Sequence, residues 1–308
     1  MIDFRQLIDA GLHFGHQKSR WCPKMKPFIW GHRGGIHLID ISKTAQALQK
    51  TASFLESIVA RGETVLWVGT KKSAKDVIGQ IGKELNMPYV NYRWVGGTIT
   101  NFPQVKKAVT KLLHYEDILK KSKEDNSMYT KKELVKFQKM AERLERSVGG
   151  LKSLTMPIGA IVVIDVKKEQ TALLEANVAH VPVVGLVDSN SDPQGVDFII
   201  PGNDDSAKGI QFVLEHLKGA VQKGLAKKAE SHKKQEKDKE LKAASKEVVE
   251  KKEAEKKPKV EVKKKATTKT SSAKEEQKAE ATTSKKAAPK KTAEKKEVKA
   301  TADKAKKK

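Results

Sequence analysis

Two near-continuous apolar runs, Gly159–Asp165 and Val181–Asp188, constrain this chain more than any other feature of it. A strand with one solvated face alternates apolar and polar residues. These runs are apolar at almost every position, so both faces of their sheet must be covered. Strands buried in this way are parallel and need helical crossovers; Glu169–Asn177 lies between them and supplies one. Thr64–Val68 is a third run, followed by a predicted helix over Lys72–Leu85 and a short strand at Pro88–Asn91. Upstream, Asp3–Ala10 reads as a short helix ended by Gly11, then a cationic loop, then a strand over Ile36–Ile41. Ser42 caps a helix to about Ala60, with Leu48, Leu55 and Val59 at helical spacing. A strand at Phe198–Ile200 and a helix over Asp205–Lys223 complete a three-layer α/β/α parallel sheet of the flavodoxin or Rossmann-like kind.

Residues 103–151 interrupt that alternation. Leu134, Phe137, Ala141, Leu144, Val148 and Leu151 recur at intervals of three and four, the spacing of a coiled-coil seam. Phe102, Val105, Val109, Leu112 and Leu119 keep the same rhythm upstream. Between them Lys123–Met128 is polar, and Thr130 with Glu133 forms a capping box for a second helix. The pattern predicts an inserted αα coiled-coil hairpin. The same spacing also suits two helices that cover the sheet.

Charge divides the chain. The net charge is +24, yet residues 227–308 alone carry 30 lysines, no arginine and 15 acidic residues, with no aromatic residue. Such a segment cannot bury enough apolar surface to offset chain entropy. The expected organisation is a globular α/β domain over 1–226, containing the 103–151 insertion, and a disordered Lys-rich tail over 227–308. Cys22 is the single cysteine, which excludes an internal disulfide framework. No apolar run reaches ~18–20 residues, and the first residues lack a signal-peptide core. A cytoplasmic protein is expected.

Two segments carry the candidate binding chemistry. In Asn91–Asn101 the cation of Arg93 adjoins the indole of Trp94, a pair suited to phosphate and unpaired bases. Gly96 and Gly97 expose backbone amides, and Thr98 and Asn101 add side-chain hydrogen bonds just before a helix N-terminus. The second segment runs from Asp9 to Asp40 without an intervening carboxylate. It supplies Lys18, Arg20, Lys24, Lys26 and Arg33 for phosphates and Trp21 for stacking. Lys71 and Lys72 at a helix start, and Lys106 and Lys107 on the next helix, are further phosphate ligands.

Four stretches also resemble one family. Ala-Gly-Leu-His-Phe-Gly-His-Gln at 10–17 with Arg-Trp-Cys-Pro-Lys-Met-Lys-Pro-Phe-Ile at 20–29 is similar to the opening of the bacterial ribosomal protein S2 family. Arg93–Asn101 resembles its central signature, and 157–165 and 181–193 resemble its later strands. The similarity runs in order from Met1 to about Ala226. It implies a non-enzymatic structural constituent of the small ribosomal subunit, without cofactor, bound to 16S-type rRNA between head and body on the solvent side. It also implies other small-subunit proteins as partners, notably docking of the mRNA-binding ribosomal protein S1, and a coiled-coil arm in bacterial members.

Three other readings compete. Gly69-Thr70-Lys71-Lys72-Ser73 follows a strand as a phosphate loop would, but has neither nucleotide-binding glycine spacing. Asp165, Asp188, Asp192, Asp204 and Asp205 fall at or after strand ends, where α/β sheets bind ligands. No nucleophile–base pair accompanies them, so capping and turn roles are expected. His13, His16, Cys22, His32 and His37 match no zinc template, and no metal is expected from them. The tail is similar to linker-histone tails, which suits a nonspecific nucleoid DNA binder, but such a tail attaches to any polyanion.

Overall fold

The computed structural model describes residues 3–124 and 129–254, with backbone alone for 123–124 and 232–254. The chain divides into two units, Met1–Val248 and Val249–Lys308. The polar link at Lys123–Met128 and the tail beyond Ala254 fall largely or wholly outside the described side chains.

In the first unit, strands β4 (Thr64–Val68), β5 (Tyr89–Val90), β6 (Ile158–Ile164), β7 (Val183–Val187) and β8 (Phe198–Pro201) form one parallel sheet in the order β5-β4-β6-β7-β8. All seven residues of β6 are buried, as the unbroken apolar runs require. Successive side chains of β4 point to opposite cores. Val65 and Trp67 enter a cluster with helices α1 (Phe4–Asp9), α2 (Ile41–Ala60), α3 (Lys75–Glu84) and α7 (Ala207–Ala254). Leu66 and Val68 enter the opposite cluster, with α4 (Phe102–Glu124), α5 (Lys131–Val148) and α6 (Gln170–Val178). The three-layer α/β architecture follows, and Trp67 is fully buried between the layers.

The structure corrects several local expectations. The N-terminal cationic segment is not a loop. It forms β1 (Phe14–Gln17) and β2 (Ile29–Arg33), which pair antiparallel with β3 (Ile36–Ile39) in a separate three-stranded sheet, joined by two short 3-10 turns. Gly34 and Gly35 (φ 58° and 78°) form the two-residue turn between β2 and β3, a conformation side chains resist. Asp40 rather than Ser42 caps α2, accepting a 2.9 Å hydrogen bond from the Ser42 amide. Helix α3 begins at Lys75 rather than Lys72, because residues 71–74 are bent into the site described below. Helix α7 continues past Ala226 to Ala254.

Helices α4 and α5 pack on each other and on the sheet. Val105, Val109, Leu112, Ala141 and Val148 belong to the same buried cluster as Leu66 and Ile161. Farther out, the Tyr115 and Phe137 rings stack at 5.7 Å and Tyr129 meets Phe137 edge-on at 5.3 Å. The Thr130 amide donates to the Glu133 carboxylate at 2.9 Å, completing the capping box. Lys152 bridges the pair, 2.7 Å from Glu116 and 2.9 Å from Glu145.

Candidate nucleic-acid interface

The Arg93–Asn101 loop is built around an anion, but the anion belongs to the protein. Glu175 on α6 sends its carboxylate into the loop and accepts from the Trp94 indole at 2.9 Å, the Gly97 amide at 2.8 Å and the Ile99 amide at 3.1 Å. A weaker contact comes from the Thr100 amide at 3.4 Å. Gly97 has φ +85°, and a Cβ there would lie 3.1 Å from that of Asn101, so a side chain would disturb the turn. Burial pushes the Glu175 carboxyl up, but these donors outweigh it and hold it below its ordinary value of 4.5.

This arrangement revises the expected roles. Trp94 is 8 % exposed and Thr98 is fully buried. The indole of Trp94 is committed to Glu175, so it organises the loop and is not a stacking platform. The Gly97 amide is likewise taken. Arg93, Gly96 and Asn101 remain exposed.

Arg93 opens onto a cleft of about 600 Å³ between the loop and α5. Across it stand Lys139, Arg143 and Arg146, with Glu142 the one acidic residue of the lining and Tyr92 beside Arg93. Tyr92 also lies under the Lys75 ammonium, 5.0 Å from its ring centroid. Four cations around one concave surface attract a polyanion, and three arginine forks can each hold a phosphate through two hydrogen bonds. Sequence reasoning missed Lys139, Arg143 and Arg146 because each looks like ordinary helix-surface charge. Their spacing of four and three places them on one helical face, which was the available signal.

In the N-terminal sheet, Lys18, Arg20, Lys26 and Arg33 are exposed as expected, as are Lys72, Lys106 and Lys107 elsewhere. Lys24 pairs with Asp192 at 2.6 Å; an exposed pair of this kind contributes ~0–1 kcal/mol and exchanges readily for a phosphate. Trp21 is half-buried against His37, ring centroids 5.3 Å apart. The exposed indole of this segment is Trp30, at 76 %.

Lys71 is a different case. Its ammonium lies 2.6 Å from both Asp204 and Asp205 and 3.4 Å from Asp165. Burial works against its charge, yet the bonds to Asp204 and Asp205 overcome this and raise it above lysine's ordinary value. It is therefore neutralised internally and is not a free phosphate ligand. This network lies just beyond the C-terminal ends of β4, β6 and β8, beside the place where strand order reverses and α/β sheets take nucleotides. Beside it, His16 lies 2.9 Å from Asp188 and 3.3 Å from Asp205, and the Asp188 hydrogen bond lifts it above the usual imidazole value. Burial, then the neighbouring Asp188 charge, pushes Asp204 up to about 6. The five late aspartates thus hold side chains as well as turns. His16 joins these carboxylates and not the other histidines or Cys22.

No helix among the described residues is long and apolar enough to cross a membrane. A family model described as Ribosomal protein S2 matches residues 7–224, spanning both sheets, the α4–α5 pair and every residue of the cleft.

Proposed function

The chain belongs to the ribosomal protein S2 family, structural proteins of the small ribosomal subunit, and from that premise we propose that it binds 16S-type rRNA through two cationic surfaces. The observation that carries this reading is the cleft in which Arg93, Lys139, Arg143 and Arg146 converge from two elements. Phosphate contacts there fix position, while the exposed residues of the N-terminal sheet, Lys18, Arg20, Lys26, Arg33 and the indole of Trp30, offer a second surface for backbone and unpaired bases. Lys72, Lys106 and Lys107 extend the charge. The role is non-enzymatic, a reading supported by the pairing of Lys71 with the protein's own carboxylates beside the switch point. Docking of ribosomal protein S1 and residence on cytoplasmic ribosomes belong to the same proposal on family grounds.

Charge reversal tests the cleft. Arg143→Glu with Arg146→Glu removes two phosphate ligands from an exposed helix face, so the isolated protein keeps its fold. Incorporation into small subunits in competition with the wild-type protein should fall at least tenfold, and the salt dependence of rRNA binding should flatten by about 1.8 units of log K per log salt or less. Undiminished incorporation and an unchanged rRNA footprint would rule the cleft out as an rRNA site.

A further inference from the structure

We propose that His16, Asp188 and Asp204 form a binding site for one divalent transition-metal cation, with Zn²⁺ the best match. The three residues bring one donor atom each to within 4.8 Å of one another. They come from three separate places: His16 from β1, Asp188 from the end of β7, and Asp204 from the turn between β8 and α7. Asp204 is fully buried. One of its oxygens, Oδ1, meets Lys71 at 2.6 Å, while Oδ2 is buried without a hydrogen-bond partner. A buried carboxylate oxygen without a donor is costly, and a cation supplies what it lacks.

The geometry around His16 already follows the pattern of a metal ligand. Its Nδ1 faces Asp188 Oδ2 at 2.9 Å. Zinc–nitrogen and zinc–oxygen bonds of ~2.0–2.2 Å separate neighbouring tetrahedral donors by about 3.4 Å, so a small expansion lets the ion replace the shared proton. The other ring nitrogen, Nε2, lies 3.3 Å from Asp205 Oδ2. A ligating histidine commonly donates its second N–H to a carboxylate in this manner, which fixes the ring. The His16 amide is also held, donating to Ser189 Oγ at 2.8 Å.

Charge and access agree with the geometry. Asp165, Asp204 and Asp205 meet one fixed cation, Lys71, and Asp188 meets His16, so carboxylates outnumber cations and a divalent ion moves the group toward neutrality. Asp205 is 59 % exposed and His16 20 %, which leaves an entry on that side. One imidazole with two carboxylates is a zinc-type donor set; magnesium and calcium prefer oxygen alone. A bound ion would fasten the N-terminal sheet to the C-terminal ends of the main sheet. The proposal does not depend on RNA binding.

The experiment uses the full chain, stripped with chelator and titrated with Zn²⁺ alone by calorimetry, with metal content measured after gel filtration. One Zn²⁺ per chain is expected, with a raised melting temperature. His16→Gln should abolish that stoichiometric site, and Asp205→Asn should weaken it by roughly 10–100-fold, as loss of an outer partner does. His32→Gln, outside the group, should leave it unchanged. If His16→Gln does not fold, carbethoxylation of the wild-type protein decides: bound Zn²⁺ should protect His16 selectively. Absence of stoichiometric Zn²⁺, its retention by a folded His16→Gln protein, or equal modification of His16 with and without the ion would overturn the proposal.

Discussion

At the residue scale, Glu175 determines what the Arg-Trp-Val-Gly-Gly stretch can do. Its pairing with donors on Trp94, Gly97 and Ile99 closes the loop over α6 and leaves Arg93 at the cleft. Glu175→Gln turns an amide toward these donors, and the buried N–H groups left unpaired cost about 3 kcal/mol in total. The carboxyl is held below 4.5 when folded, so its contribution is fully present above that pH and is lost as pH falls through the folded value. The difference in melting temperature between wild type and Glu175→Gln should therefore be constant near neutrality and shrink below pH 4.5. A difference that persists unchanged to pH 3 would refute this account (about the range of ordinary carboxyls). The pairing of Arg93 with Trp94 was legible in the sequence, but its geometry was not. Trp94 is drawn inward by a partner 81 residues away, and local composition carries no record of such a pairing. The partners of Lys71 were hidden in the same way, since Asp204 and Asp205 follow β8, with Asp204 lying 133 residues along the chain.

At the scale of elements, the apolar runs translated directly into β4, β6 and β7 because full burial on both faces leaves an unbroken apolar pattern. The three-and-four spacing in α5 likewise identified the side turned from solvent, with Ala141 and Val148 buried and Leu134, Phe137 and Leu144 partly so. Periodicity specifies a face and not what covers it. Here Ala141 and Val148 enter the sheet cluster, while farther along α5 Phe137 stacks on Tyr115 of the partner helix. Phe137→Ala should test the far part, since its rings contact Tyr115 and Tyr129 and not the sheet clusters. Loss of that stacking, about 1–3 kcal/mol, should raise amide exchange in the surrounding turns of α4 and α5 while the main sheet keeps its protection. Unchanged exchange there would mean that the stack does not hold the helices together. The three-stranded N-terminal sheet escaped a reading based on charge, although the Gly34-Gly35 pair between short apolar-containing segments was its signal.

At the scale of the whole molecule, composition divides the chain at Ala226, and α7 runs on across that point, with Lys227 paired to Glu56 and Lys228 lying over Gly62. Lysine, glutamate and alanine favour helices as readily as they mark a solvated tail, so charge alone carries no record of where this helix stops. The segment after Ala254 holds 20 lysines against 8 acidic residues, without arginine or aromatics. It offers charge but no stacking or bidentate contact. Truncation after Ala254 should preserve the melting temperature and the RNA footprint while reducing the salt dependence of binding by ~0.7–0.9 units for each phosphate released. An unchanged slope would show that the segment does not meet RNA. The tie made by Lys152 has a mechanical meaning as well. It joins Glu116 of α4 to Glu145 of α5, and the turn at Gly150 sits against Tyr89. Any force passed from α5 through that turn therefore falls on β5, a two-residue strand at the margin of the sheet.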